Sequence, residues 1–341
     1  MSTKKIFWLF RSNIRELEYY HQYTTLQDFE NNCHDFYILQ LVWFLRHGHF
    51  DEAIVWRLNP KKQKIKDIVF NVNSGKLIQR WVDNFKESFN YEPPDISFFR
   101  GGFPEYCEIT KLSPNHFGKK LYLGAGKRVY PQYGGNYDVI LVESDNDKEN
   151  GTPTIPFYKT ANGNIFKSIE SKREYALCWI CNFEQITQKG QEFFIKTVSE
   201  SSFLKTIRIV HCGNKPKDGV GLCKKYGVKN IDFAGHVDRL TLNELINHSD
   251  FGIITSNESD GCPRVITEVM MTGTPLLLRE KTRLLGYYKK VGVIPYNEKN
   301  LETKLYYGMF HYDDIKREAK LNPHTRISMD TVCSMNLKSW V

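Results

Sequence analysis

Residues 251–278 read FGIITSNESDGCPRVITEVMMTGTPLLL, and the order strand, loop, helix, strand within them decides the fold. Phe251 to Ile254 is a short apolar, β-branched run suited to a buried parallel strand, and Ser256 to Gly261 is a polar loop. Pro263 suits the first helical position, where no N–H is needed. Val265, Ile266, Val269 and Met270 then fall on one helical face, Gly273 closes the helix, and Thr274 to Leu278 supplies the next strand. A loop that leaves the carboxyl end of a parallel strand and feeds a helix N-terminus is an anion site, because unpaired N–H groups and the helix dipole both point into it.

Two carboxylates flank this turn, Asp260 before the helix and Glu268 inside it. They repel a phosphate unless they face hydroxyl groups, and phosphate together with hydroxyls points to a sugar nucleotide. Spacing alone leaves a structural alternative open. Asp260 then caps the helix and Glu268 pairs with Arg264 at i,i+4, the two together worth about 1 kcal/mol.

The segment also resembles the E-x7-E signature of the retaining GT-B glycosyltransferases of family 4: an acid, Gly, a short turn, then L-x-E-A-M-A-x-G-x-P. Asp260, seven residues and Glu268 carry the likeness, with the Gly261-Cys262-Pro263-Arg264 turn and the Gly273-Thr274-Pro275 stop. The first acid is Asp rather than Glu, shorter by one methylene. The resemblance implies an α/β chain of GT-B type, two Rossmann-like domains facing each other across a cleft. It also implies transfer of a sugar from a nucleoside-diphosphate sugar to a glycan, lipid or other acceptor, with retention of configuration and no metal ion or other cofactor.

By the same resemblance Glu268 binds ribose hydroxyls, Asp260 contacts the donor sugar, and backbone N–H groups of Gly261, Cys262, Arg264 and Val265 hold sugar or phosphate. Gln188-Lys189-Gly190 is similar to the family's Lys-Gly, whose lysine holds the donor diphosphate. The family's Arg shortly after the same strand has Asn182 as its nearest counterpart, so one phosphate cation is missing or comes from elsewhere. Gly213 and the Gly235-His236-Val237 turn, each ending a strand pattern, resemble the steps that edge the nucleotide base. His236 itself reads as a loop residue rather than a catalyst. Pro156, Asn162-Gly163 and Phe166 match the family's entry into the second domain more weakly.

With 341 residues the chain has room for about two domains, and 41% hydrophobic with 25% charged residues is ordinary globular composition. The expected division is an acceptor-side domain at 1–152, a linker at 153–172, a nucleotide-sugar domain at 173–311 and a helical tail at 312–341 that returns to the first domain. Phe36 to Leu45, interrupted by Gln40, is far short of the roughly 20 residues of a membrane span. MSTKKIFWLF runs into Arg11 and Arg15 without a small-residue cleavage site and reads as a first strand. These features lead us to expect a cytoplasmic protein. A net charge of +8, spread through loops such as Lys61, Lys62, Lys64 and Lys66, suits a solvated surface first and peripheral contact with an anionic membrane second. No zinc pattern or nucleic-acid module is present. The eight cysteines are scattered apart from Cys178 and Cys181, whose side chains point to opposite faces of a strand, which excludes a redox pair.

Along the first half, Ile6 to Phe10, Ala53 to Leu58, Ile68 to Val72, Ile96 to Phe99, Lys120 to Gly124 and Tyr137 to Glu143 read as strands. Residues 26–47 and 75–90 read as helices, the former boxed at its start by Thr25 and Asp28. In place of a glycine-rich loop after the first strand stands Arg11-Ser12-Asn13, where Arg11 supplies charge. Arg100-Gly101-Gly102 and Gly124 to Arg128 follow later strands, making Arg100, Lys127 and Arg128 candidates for phosphate or acceptor contact. Leu121 and Arg128 occupy the positions where a phosphate-binding P-loop needs Gly and Ser or Thr, which excludes that motif. Asp145-Asn146-Asp147 imitates the metal-binding DxD of another glycosyltransferase class but leaves the 260–268 segment unexplained, so no metal site is assigned.

In the second half Tyr175 to Cys181, Ile207 to Cys212, Ile231 to Ala234 and Val291 to Pro295 read as strands, with helices from about Gly190, at 219–226 and at 242–246. No acceptor-activating base stands out, His116 lying in a loop. Two other readings therefore remain beside transfer: a non-catalytic or partner-dependent sugar-nucleotide binder, and a GT-B epimerase.

Overall fold

The computed structural model describes residues 4–11, 23, 25–33, 35–59, 65–124, 130–143, 154–183, 189–257, 264–280, 292–325 and 328–341, with the helix backbone alone at 322–325. It divides into two compact units, Met1–Tyr158 with Cys333–Val341, and Lys159–Val332.

In the first unit the described elements are β1 (Ile6–Arg11), α1 (Leu26–Asn32), α2 (Phe36–Arg46), β2 (Glu52–Leu58), β3 (Ile68–Val72), β4 (Gly75–Val82), β5 (Ile96–Arg100), α3 (Pro104–Leu112), β6 (Lys119–Leu123), β7 (Val139–Val142) and β8 (Thr154–Pro156). They make an eight-stranded sheet of order β3-β4-β2-β1-β5-β6-β7-β8, parallel except where β3 and β4 form a hairpin. The chain moves outward from β1 through β2 to β4, then returns to the other side of β1 with β5. The carboxyl ends of β1 and β5 therefore flank the point where strand order reverses, the usual crevice of open α/β sheets.

Two expected helices are corrected. Residues 75–90 hold β4 and a 3₁₀ turn at Phe85–Asn90. Gly75, Leu77, Gln79 and Trp81 are buried between more exposed Lys76, Ile78 and Arg80, a period of two that a helix cannot satisfy. Asn84 and Glu87 then close a capping box. The expected helix at 26–47 is two helices, because Asp35 starts the second by accepting from the Tyr37 N–H at 3.1 Å. Thr25 accepts from the Asp28 N–H at 3.0 Å and caps the first. The stretch expected as a linker supplies β8, which pairs with β7.

One face of this sheet packs Trp8, Phe10, Trp56, Phe99 and Tyr106 together. On the other, the buried Trp340 of the C-terminal helix Met329–Trp340 stacks on Phe157 at 5.9 Å and meets Phe98 edge-on at 5.5 Å. Asn336 in the same helix donates to Gln40 Oε1 at 2.8 Å and to the Tyr158 carbonyl at 2.9 Å. Its own Oδ1 accepts from the Tyr158 N–H at 3.0 Å, so this buried amide is fully employed.

The second unit runs β9 (Tyr175–Ile180), α4 (Gln191–Glu200), β10 (Ile209–Cys212), α5 (Pro216–Tyr226), β11 (Ile231–Gly235), α6 (Arg239–Asn247), β12 (Ser249–Ile254), α7 (Arg264–Met271), β13 (Leu276–Arg279), β14 (Val293–Tyr296), α8 (Leu301–Phe310) and α9 (Tyr312–Thr325). Its sheet has the order β11-β10-β9-β12-β13-β14 and every pairing is parallel. Helices α5 and α6 start earlier than the apolar pattern suggested, α5 because Pro216 occupies its first turn and α6 because Asp238 caps it. Leu177, Trp179, Phe194, Phe251, Ile253, Leu277 and Leu305 fill one core. Cys181 belongs to that core, whereas the Cys178 thiol is hydrogen-bonded with Cys212, and no disulfide joins the buried cysteines among the described residues.

His211 is buried between Trp179, Phe183 and Phe233. Its Nε2 lies 2.9 Å from the Cys181 carbonyl, to which it donates, while Nδ1 has no partner among the described residues. Burial pushes the imidazole down to about 4, against which the carbonyl bond acts weakly in the other direction.

Two stability measurements follow from this packing. Trp340→Ala should cost about 3–5 kcal/mol in urea unfolding, as for other buried aromatic truncations; a cost under about 1 kcal/mol would show that the C-terminal helix is not part of the first core. For His211, the unfolded chain takes up a proton below about pH 6.5 while the folded chain does not until about 4. Stability should therefore fall by roughly 2 kcal/mol between pH 7.5 and pH 5 on this account, and His211→Leu should remove that share of the slope.

Candidate functional site

Glu268 is the centre of the candidate site. It lies in α7, which packs closely on β12 because Gly252 has no side chain: a Cβ there would come within 2.6 Å of Val269 Cγ1. Glu268 is 3% exposed. Its Oε1 accepts from Arg239 Nη1 at 3.0 Å, and its Oε2 is buried without a partner among the described residues. The expected alternative pairing with Arg264 is not formed: Arg264 is exposed at the start of α7 and Glu268 turns to Arg239 instead. Val265 is half-buried beside it. A buried carboxylate oxygen left bare costs about 1–3 kcal/mol or more, an expense that folding alone does not explain.

Arg239 opens α6, one residue after Asp238, whose side chain accepts from the Thr241 N–H at 2.9 Å. That hydrogen bond holds the Asp238 carboxyl below its ordinary range. Nothing in the spacing of the chain joins residue 239 to residue 268, and the sequence reading missed it.

Lys189 and Gly190 sit where the carboxyl edge of the sheet meets the start of α4. Gly190 has φ +67 and a Cβ there would lie 2.2 Å from the Thr255 carbonyl, so only glycine fits. Thr255, just beyond β12, donates its hydroxyl to the Lys189 carbonyl at 2.6 Å and accepts from Trp179 Nε1 at 3.0 Å. The lysine backbone is thus fixed to two strands, β9 and β12. Asn182, at the position where resemblance expected an arginine, is occupied structurally: its Oδ1 accepts from the Asn214 N–H at 2.9 Å and its carbonyl from Gln191 Nε2 at 2.5 Å. A cation unforeseen from the sequence stands nearby. Arg279, the charged end of the apolar strand β13, is buried over Phe193 at 4.2 Å, donating to the Thr255 carbonyl at 3.2 Å and to Glu298 at 2.5 Å.

Gly213 and Gly235 end β10 and β11 side by side, the Gly213 N–H donating to the Gly235 carbonyl at 2.8 Å. Any Cβ on Gly213 would collide with the Cys181 carbonyl at 1.7 Å. His236 follows, exposed. Arg264, Val265, Lys189, Gly213, Gly235 and His236 therefore belong to the strand ends, loops and helix starts of one unit, and Glu268 to the middle of its helix α7.

In the first unit, Arg11 and Arg100 are in register at the carboxyl ends of β1 and β5. Arg11 is ion-paired with the buried Asp35 and lies 5.2 Å from the Tyr37 ring. Arg100 donates to the Tyr37 hydroxyl at 2.7 Å and the Gly124 carbonyl at 2.6 Å. Both guanidinium groups have partners within their own unit. His116 lies 3.2 Å from the Ser88 carbonyl and packs half-buried against Trp8 and Phe89. Asp260, Gly261, Cys262, Lys127, Arg128, Asp145 and Asp147 lie outside the described residues.

Residues 174–283 match the family described as glycosyl transferases group 1. The matched segment lies within the second unit. No curated protein sequence matches the chain significantly. Among solved structures, sucrose-phosphate synthase from Thermosynechococcus elongatus is similar with a TM-score of 0.67 at 10% identity, over 99% of this chain and 98% of that one. A glycosyltransferase from Rickettsia africae gives 0.67 at 13% identity, with 99% and 98% covered. HepE of Anabaena, in complex with UDP and glucose, gives 0.63 at 10% identity, with 98% and 99% covered. With its two sheets of mainly parallel strands, the chain has the two-domain, Rossmann-like GT-B fold. No helix among the described residues is long and apolar enough to cross a membrane.

Gly190→Ala tests the scaffold. The added methyl meets backbone and demands a left-handed conformation, so Lys189 should be displaced and the protein destabilised by about 1–3 kcal/mol in thermal or urea unfolding. Wild-type stability in this variant would contradict the close approach of Gly190 to Thr255.

Proposed function

We propose that this protein is a retaining glycosyltransferase that takes a sugar, of hexosyl type, from a nucleoside-diphosphate sugar without a metal ion and passes it to a glycan or lipid-linked acceptor. The observation that carries the reading is the buried Glu268 carboxylate with one bare oxygen, within the segment that matches glycosyl transferases group 1. An ionised carboxylate accepts hydrogen bonds and donates none, so its natural partner is a hydroxyl, and the role assigned to it is binding the donor ribose.

The remaining roles follow from charge. Lys189 neutralises the donor diphosphate, helped by N–H groups at the start of α7 around Arg264 and Val265. Asp260 contacts the donor sugar. Gly213, Gly235 and His236 edge the base, where unbranched backbone admits a flat ring. Most of the rate enhancement is electrostatic, because negative charge gathers on the leaving diphosphate as the glycosidic bond breaks and fixed cations and dipoles meet it there. UDP in the HepE structure, and UDP-2-fluoro glucose in an E. coli protein of the same fold, support a uridine donor. The net charge of +8 is compatible with peripheral contact at an anionic membrane surface as well as with a solvated one.

The test is transfer in the presence of a chelator, from labelled UDP- and GDP-sugars to a panel of glycan and lipid-linked acceptors, with the anomeric configuration of the product read by NMR. Retained configuration supports the proposal; inversion, or turnover of donor to an epimer without acceptor, overturns it. At subsaturating donor, Glu268→Ala should slow transfer by about 10- to 100-fold, the equivalent of one charged hydrogen bond of roughly 1.5–3 kcal/mol. Wild-type rates in that variant would remove Glu268 from the site.

A further inference from the structure

Glu268 could be held in its helix by many neighbours, yet the residue that reaches it comes from another helix, 29 positions earlier in the chain. Arg239 stands in the first turn of α6. A cation there faces the positive end of the helix dipole and lowers the stability of its own helix. Its placement is therefore not explained by α6. Nor is it explained as a clasp between α6 and α7. A clasp of greatest strength would be the two-pronged pairing that guanidinium and carboxylate geometry permits, and a pair of well-packed apolar side chains would join two helices as well. Instead one nitrogen, Nη1, meets one oxygen, Oε1, and the other oxygen has no partner among the described residues in a side chain only 5% exposed.

We infer that Arg239 is a positioning residue that makes Glu268 a reader of the ribose diol: by holding Oε1 it fixes the carboxylate and leaves Oε2 as the acceptor for a ribose hydroxyl. The inference rests on the proposed donor site and adds to it the residue that sets its selectivity. Two consequences follow. A carboxylate tethered at one oxygen cannot rotate to pair both oxygens with water or protein. A nucleotide lacking its ribose hydroxyls would then leave Oε2 buried and unsatisfied, and sites built to bond a hydroxyl reject analogues without it. Arg239, a third exposed, itself acts through Glu268 without needing to touch the nucleotide.

The test uses the full chain and whichever of UDP, GDP and ADP binds it most tightly, compared with the 2′,3′-dideoxy form of the same nucleotide by equilibrium titration. The wild type should prefer the ribose form by about tenfold or more, the equivalent of one hydrogen bond to a charged group. Arg239→Gln should reduce that preference to about two- to threefold while changing affinity for the dideoxy form by less than about twofold. Arg239→Lys should keep most of the preference, because a single nitrogen makes the contact. Combined with Glu268→Gln, Arg239→Gln should cause no further loss. Far-UV circular dichroism and the Tm of each variant establish that it is folded.

A purely structural role predicts equal weakening for both nucleotide forms, and that result would overturn the inference. So would an undiminished preference in Arg239→Gln, or effects of the two substitutions that multiply. These results leave the donor site standing, whereas failure of all three nucleotides to bind the wild type would overturn the proposed function and the inference together.

Discussion

All six strands of the second sheet run in one direction, and the rest of that unit follows from this constraint. Parallel strands need helical returns, so strand ends and the starts of α4, α5, α6 and α7 share one edge. That edge gathers unpaired N–H groups and the positive ends of helix dipoles, which favours anions. A buried carboxylate still loses its hydration, and Arg239 meets one oxygen of Glu268 in return. The unmatched oxygen marks a position where stability is given up, and the proposed donor site gives that cost a purpose.

The supports around this edge are made of short-range contacts with little freedom to adapt. Trp179, Thr255 and the Lys189 carbonyl form a chain of hydrogen bonds that joins β9 to the start of α4. Gly190 and Gly213 permit backbone approaches that no side chain would allow. Arg279 adds a buried cation whose charge is met by Glu298 and whose face lies on Phe193. The first unit solves a similar problem differently. At the reversal point of its sheet, arginines rather than glycines end β1 and β5, and Asp35, Tyr37 and the Gly124 carbonyl hold them in place.

Much of this was legible in the sequence because parallel strands and the helices between them carry strong local signals. Phe251 to Leu278 displayed its strand, turn and amphipathic helix in order, and the GT-B fold followed from the motif it contains. Residues 75–90 misled because Leu77, Ile78, Trp81, Val82 and Phe85 also satisfy a helical period; the hairpin turn at Asn73, with φ 53, settles the alternation. Arg264 was the obvious partner for Glu268 by spacing, but a helix surface neighbour gains only a few tenths of a kcal/mol. A buried carboxylate demands a partner far more strongly, and Arg239 is brought there by the fold rather than by proximity in the chain. Arg279 was hidden for the same reason, as one charge at the end of an apolar run.

The central claim, a nucleotide site in the second unit that works by protein charge alone, is tested most directly by titrating UDP, GDP and ADP into the purified protein calorimetrically, once with chelator and once with manganese. The account predicts one preferred nucleotide bound at one site with the same affinity in both conditions. Binding that requires manganese would contradict it and transfer the diphosphate to Asp145 and Asp147.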